Sequence, residues 1–342
     1  MNIEPSARQI LPFACPSIQY RIKKELLFQS PNLPEMAGIQ NQILQGETVK
    51  GIIDNQGPDG WIEWNFHGYD SMEADIRLLC EKGLEPTQPV LARALKALEQ
   101  HPDRLQRGIR KIGKILDDLG FGGSETIRAY LFAQAGCEEH PFVQEKIEQS
   151  LELFNAVIEI ESPKDLYQLY QGKKVFREGV RFPSIYHLRI LAWTQNWRTP
   201  QNHNMIAKSI QRLVQLSPIP NIYVRYKSQV IAPASFCMDN FRPDMNELTD
   251  AEWMLWFHRM EHLARLGVVS QIPELKSQVQ ALECMLEQGQ GIFTKKLSHP
   301  YFQKWGAYTG LALEKDWRAA QRRINDLTFR SLLILHYSNF TR

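Results

Sequence analysis

Residues Asp70–Gln100 read DSMEADIRLLCEKGLEPTQPVLARALKALEQ, which is a complete helix–turn–helix unit. Ile76, Leu78 and Leu79 group on one side of a first helix, with Glu73, Asp75 and Arg77 on the remainder. Gly83 then ends that helix, and a short polar turn leads to Pro89, which suits the first position of a second helix. Leu91, Ala94, Leu95 and Leu98 give the second helix its apolar stripe.

The same unit recurs along the chain. Ser124–Glu159 turns at Gly136 and Pro141, Ser184–Leu216 turns at Asn196 and Pro200, and Thr249–Gln288 turns at Gly267 and Pro273. Asp70-Ser71-Met72-Glu73 and Thr249-Asp250-Ala251-Glu252 both read as capping boxes at helix starts. Ser17–Gln45 forms a further hairpin turning at Ser30–Pro34, and Gln321–Tyr337 forms a closing apolar helix. The expectation is therefore an all-α protein of eleven main helices. It forms a single helical-repeat domain over residues 1–342, because each hairpin buries its apolar face only against its neighbours. Residues 217–248 and 289–320 stand out as long connections, of the kind that form lids or binding loops. Within the first, Ile222–Tyr226 alternates like a strand.

Composition narrows the function classes. The hydrophobic fraction is 43% and the charged fraction 23%, as in globular proteins, and a net charge of +2 predicts no nucleic-acid partner. No apolar run is long enough for a transmembrane segment. Glu4, Pro5 and Pro12 fall where an export signal would need basic and apolar residues, and the five cysteines lack a CxxC pair. Both features point to a cytoplasmic location.

The segment Gln56-Gly57-Pro58-Asp59-Gly60-Trp61 resembles the Gln-to-Trp loop of squalene cyclases and protein prenyltransferases, with Trp one residue early. The resemblance covers roughly residues 40–337. It implies the α/α toroid of the terpenoid cyclase and prenyltransferase proteins, in which such a loop joins an outer to an inner helix. An open solenoid of HEAT or TPR type is the alternative fold. The family's catalytic motifs do not carry over. The acidic DxDD motif is missing, since Leu116-Asp117-Asp118-Leu119 lacks its first Asp, and Cys237-Met238-Asp239 reverses the zinc-binding order.

Several groups remain as candidates. Glu63, His67, Asp70 and Glu73, at the start of an expected inner helix, are candidate acid–base groups, with Trp61 and Trp64 as walls. Capping by itself explains Asp70 and Glu73, and loop packing explains the two Trp residues, which is the stronger reading. Tyr186, His187 and Arg189 lie in a second inner helix, where Arg189 is placed to meet an anion. Arg323 and Arg330, in a charge-dense stretch, suit a phosphate or carboxylate, while Arg322–Asp326 and Asp326–Arg330 read as i,i+4 pairs. His258-Arg259-Met260-Glu261-His262 puts two histidines on one helix face, and Cys237 and Asp239 complete a weak metal candidate. No metal site is assigned and no cofactor can be named.

The expected function is enclosure of a hydrophobic or aromatic small molecule in a central cavity, with an anionic small molecule as a second ligand class. A non-catalytic module binding a protein partner is the first alternative and a carbohydrate-active toroid the second.

Overall fold

A computed structural model describes residues 2–339. Among these are fourteen α-helices and two short antiparallel hairpins. The helices are α1 (Glu4–Ile10), α2 (Pro16–Arg21), α3 (Pro34–Leu44), α4 (Glu47–Asn55), α5 (Met72–Glu81), α6 (Pro89–Gln100), α7 (Lys111–Asp118), α8 (Ser124–Gln134), α9 (Pro141–Val157), α10 (Ile185–Trp193), α11 (Pro200–Leu216), α12 (Asp250–Leu266), α13 (Pro273–Gln288) and α14 (Ala320–Asn339). The strands are β1 (Tyr167–Tyr170), β2 (Lys173–Phe176), β3 (Val224–Tyr226) and β4 (Gln229–Ile231). The all-α expectation holds at that level. Helices α1, α4 and α7 are additional to the expected set. So is the β1–β2 hairpin, whereas β3 falls inside the expected strand Ile222–Tyr226.

The helix boundaries follow the punctuation in the sequence. Ser71 caps α5, its Oγ accepting from the Ala74 N–H, and Gly83 closes the helix with a positive φ of 84°. Thr249 caps α12 in a full capping box with Glu252, and Gly267 ends it in the left-handed conformation. Proline occupies the first position of α6, α9, α11 and α13, where its missing N–H costs no intrahelical bond.

The chain divides into two compact units. The first comprises residues 1–102, 248–267 and 277–342. Here α12 packs along α14, α2 along α3, and α5 against α6. Trp253, Trp256, Phe257 and Phe293 form its aromatic core through edge-to-face contacts. The loop Gln56–Trp61 is stitched to α6. Gln56 Nε2 donates to the carbonyls of Gly60 and Val90, and Arg93 Nη2 donates to the Gly57 carbonyl. Gly60 has φ +86°, and a Cβ there would lie 2.4 Å from the Arg93 carbonyl oxygen, so no larger residue fits.

Unit 1 also buries six charges. Arg21 from α2, Glu25 from the π-turn that follows it, Glu81 from α5, Glu261 and Arg265 from α12, and Arg330 from α14 form one network. Its hydrogen bonds run from 2.6 Å for Arg21–Glu25 to 3.3 Å for Arg265–Glu261. Three guanidinium groups meet three carboxylates, so the cluster is neutral. Tyr337 and the Leu311 carbonyl take part as well, the tyrosine donating to Glu25 and the carbonyl accepting from Arg330. The arginines hold Glu25 and Glu81 well below the usual carboxylate range despite burial.

The second unit comprises residues 103–247 and 268–276. Its α8, α9 and α10 pack mutually, with α11 on α9 and α7 on α8. The Asp117 carboxylate from α7 caps α8, accepting from the N–H groups of Gly123, Glu125 and Thr126 and from the Thr126 hydroxyl. The Asp-Asp pair at 117–118 thus begins as a helix-capping device.

Candidate functional site at the start of α5

The loop before α5 is strained and tightly bonded. Glu63, Gly68 and Asp70 have φ of 56°, 115° and 45°, the two acidic residues lying in a region that L residues rarely occupy. Its carbonyls cover the helix start. Met72 N–H donates to the Asn65 carbonyl, Glu73 N–H to Phe66, and Ala74 N–H to Ser71 Oγ. The first-turn amides are therefore spent, and any chemistry here rests on side chains.

The central pair is His67 and Glu73. His67 Nδ1–H donates to Glu73 Oε2 at 2.5 Å, the carboxylate being fully buried and the imidazole 18% exposed. A buried carboxylate on one ring nitrogen orients the imidazole and makes Nε2 the basic position. Tyr308 meets the His67 ring edge-on at 5.5 Å. Glu73 was expected to reciprocate Asp70 in a capping box. Instead Ser71 is the cap, and Glu73 turns inward to the histidine.

Arg77, one turn further along α5, is also buried, against the expectation of a polar face. Its guanidinium bonds the carbonyls of Gly306, Thr309 and Gly310 and lies over the Trp305 ring. That fixes the loop carrying Tyr308. The Ala307 N–H in turn donates to the Gly68 carbonyl, joining this loop to the strained one. Gly306 is required here, since a Cβ would lie 2.5 Å from the Tyr69 ring.

Asp75 forms a second position. It is half-buried, and desolvation pushes its carboxyl up to about 7, with the nearby charges of Glu63 and Asp70 adding to the shift. Glu63 is held by Asn55, whose Nδ2 donates to it. Two residues apart on a helix, Glu73 and Asp75 point about 200° apart, so they are separate proton-holding positions rather than one acid–base pair. Trp61 is buried while Trp64 is 70% exposed.

The other expected site residues fall elsewhere. Arg330 belongs to the buried ion network. Arg322 bonds Asp316, and Asp326 accepts from the Leu313 N–H and Trp317 Nε1, so neither expected i,i+4 pair forms. Arg323 is half-buried on α14. Tyr186, His187 and Arg189 are buried in unit 2. Arg189 lies over the rings of Tyr130 and Tyr186, and His187 Nδ1 accepts from the Ser184 N–H. Desolvation lowers the His187 pKa to about 3, which keeps the ring neutral. His258 and His262 do share one face of α12, but Glu261 between them is committed to Arg265 and Arg330. Cys237 is buried and Asp239 exposed in unit 2. Among the described residues no group of three or more His, Cys, Asp or Glu side chains is arranged to hold a metal ion. No helix among them is long and apolar enough to cross a membrane.

Comparison with protein-family models, curated proteins and solved structures finds no match to this chain.

Sequence reading named His67, Glu73, Glu63, Asp70 and Trp64 as candidates and did not name Asp75, Arg77 or Tyr308 among them. Periodicity placed Asp75 and Arg77 on a solvated face, and Tyr308 lies over 200 positions away in the chain.

Proposed function

We propose that the loop before α5 is a binding site for a small organic molecule with an aromatic or apolar part, at which the His67–Glu73 pair moves a proton. The observation that carries this is the 2.5 Å bond from His67 to a fully buried carboxylate within a strained loop. Structure that only needed to cover a helix end would use the backbone and Ser71, which already do so. The histidine–carboxylate pair is an addition, of the kind that general bases use. The exposed Trp64 supplies an apolar contact surface. Asp75 supplies a second group able to carry a proton near neutral pH. The α/α toroid of the terpenoid cyclases and prenyltransferases is the proposed frame, supported by the Gln56–Trp61 loop and the succession of paired helices, with the chain as one helical-repeat domain. An acid–base centre suits an enzyme better than a purely structural ring.

The test is a thermal-shift screen with aromatic and isoprenoid small molecules. A compound at about 100 times its Kd stabilises the folded state by roughly 2.7 kcal/mol. A true ligand of this site raises the melting temperature of the wild type and leaves His67→Ala and Trp64→Ala nearly unmoved. Hits that shift all three proteins equally would place the binding elsewhere.

A further inference from the structure

The near-zero net charge conceals a segregated patch in unit 2. Residues 167–177 and 221–231 contain Lys173, Lys174, Arg177, Arg225 and Lys227 and no carboxylate, so the rest of the chain is net negative. The same two segments hold Tyr167, Tyr170, Tyr223 and Tyr226. They form the β1–β2 and β3–β4 hairpins, and these join edge to edge. The Tyr223 N–H donates to the Lys174 carbonyl at 2.9 Å, and the Phe176 N–H donates to the Tyr223 carbonyl at 2.8 Å.

Register sorts the side chains. Tyr170 pairs with Lys173, and Val175 bridges Tyr223, so Tyr170, Lys173, Tyr223 and Arg225 all project from one face of the ribbon. The cation–ring contacts agree. Arg225 lies 4.0 Å from the Tyr170 ring centre, and Lys173 lies 5.1 Å from that of Tyr223. Val175 lies on this face too and is fully buried, while the opposite face carries Phe176, which packs on Phe121 and Phe182, and the exposed Leu169. Lys173 and Arg225 are exposed, and both tyrosines are half-buried. Lys174, paired with Leu169, stands on the opposite face over the Tyr167 ring, and Lys227 lies over the Tyr226 ring.

We propose that the exposed end of this face, formed by Tyr170, Lys173, Tyr223 and Arg225, binds single-stranded nucleic acid. Phosphates would track the cations, while bases would stack on the Tyr170 and Tyr223 rings and the Arg225 guanidinium. An acidic peptide would use the cations and leave the rings idle. A membrane would need several apolar side chains standing beyond the cations, and the one large apolar side chain exposed in these two segments, Leu169, lies on the opposite face. Duplex nucleic acid would keep its bases stacked away from the rings.

The experiment measures fluorescence anisotropy of a labelled oligouridylate with the full chain across a salt series. Wild type binds, and log K falls linearly with log salt. Arg225→Glu with Lys173→Glu weakens binding at least about tenfold, and each charge lost through Arg225→Gln or Lys173→Gln lowers the salt slope by about 0.7. Tyr170→Ala and Tyr223→Ala each weaken binding at least about fivefold at fixed charge. Matching thermal melts confirm that these surface variants fold, and the Gln variants serve if the Glu pair does not. Four results would overturn the proposal: no binding at low salt, binding unchanged in all the variants, a duplex held as tightly as the single strand, or affinity for phosphatidylserine vesicles that Leu169→Asp abolishes while the oligouridylate stays unbound.

Discussion

Unit 1 buries charge in two ways. The Arg21–Glu25–Glu81–Glu261–Arg265–Arg330 network is closed, with every carboxylate matched by a guanidinium and its neutrality achieved by geometry. The start of α5 is open. Glu73 is matched by a histidine, and Asp75 sits with two other acids and no guanidinium among the groups that shift it. Asp326 sharpens the contrast. Its carboxyl is also pushed up to about 7 by burial, yet it accepts from Leu313, Glu314 and Trp317 and serves as an anchor. A raised pKa alone does not mark chemistry. Asp75 differs in that no hydrogen-bond donor is among the groups that shift it.

This contrast predicts a graded set of responses. The largest belongs to the closed network. Glu81→Gln or Arg330→Met leaves an uncompensated charge in the interior and is expected to cost about 3–5 kcal/mol in urea melts. A small cost would mean that water already screens the cluster.

Asp75→Asn comes next and depends on pH. The folded-state pKa lies above the unfolded one, so the neutral carboxyl stabilises the fold fully below about pH 4. That stability is lost as pH rises through about 7. The wild type should therefore lose of order 2–4 kcal/mol across that window from this group, and the variant should not. Urea melts at the two ends of the window check it, and parallel curves would show that Asp75 is solvated.

Glu73→Gln keeps the shape of the side chain and removes its charge. It should cost roughly 1–3 kcal/mol from the lost charge-assisted bond, and it should abolish ligand-induced thermal shifts. Trp64→Ala sharpens the comparison from the other side. Its ring is exposed, so stability should change by less than about 0.5 kcal/mol while ligand shifts fall.

Legibility followed the same division. Helix placement was readable because Gly83, Gly136 and Gly267, and the prolines opening α6, α9, α11 and α13, impose local backbone chemistry that no distant contact overrides. His67 in the loop and Glu73 in the first turn of α5 were readable as candidate acid–base residues. The role of Glu73 was not, because a capping box and a histidine partner look identical in sequence. The ion network drew on four separated segments of the chain, so Arg330 and Glu261 read as a ligand-binding arginine and a metal-motif glutamate. The β1–β2 hairpin carried a signal that alternation could have found. Tyr167–Phe176 has Gln171-Gly172 at its centre, and both adopt the positive φ that a tight hairpin turn requires. The cation–tyrosine face was hidden by averaging charge over the whole chain.

The most direct test of the claim that the start of α5 is a working site is native mass spectrometry of freshly purified wild type and Glu73→Gln, each incubated with a metabolite extract of the expression host. The account predicts an excess mass on the wild type that denaturation releases and that the folded variant lacks. The same adduct on both proteins, or none on either, would contradict it.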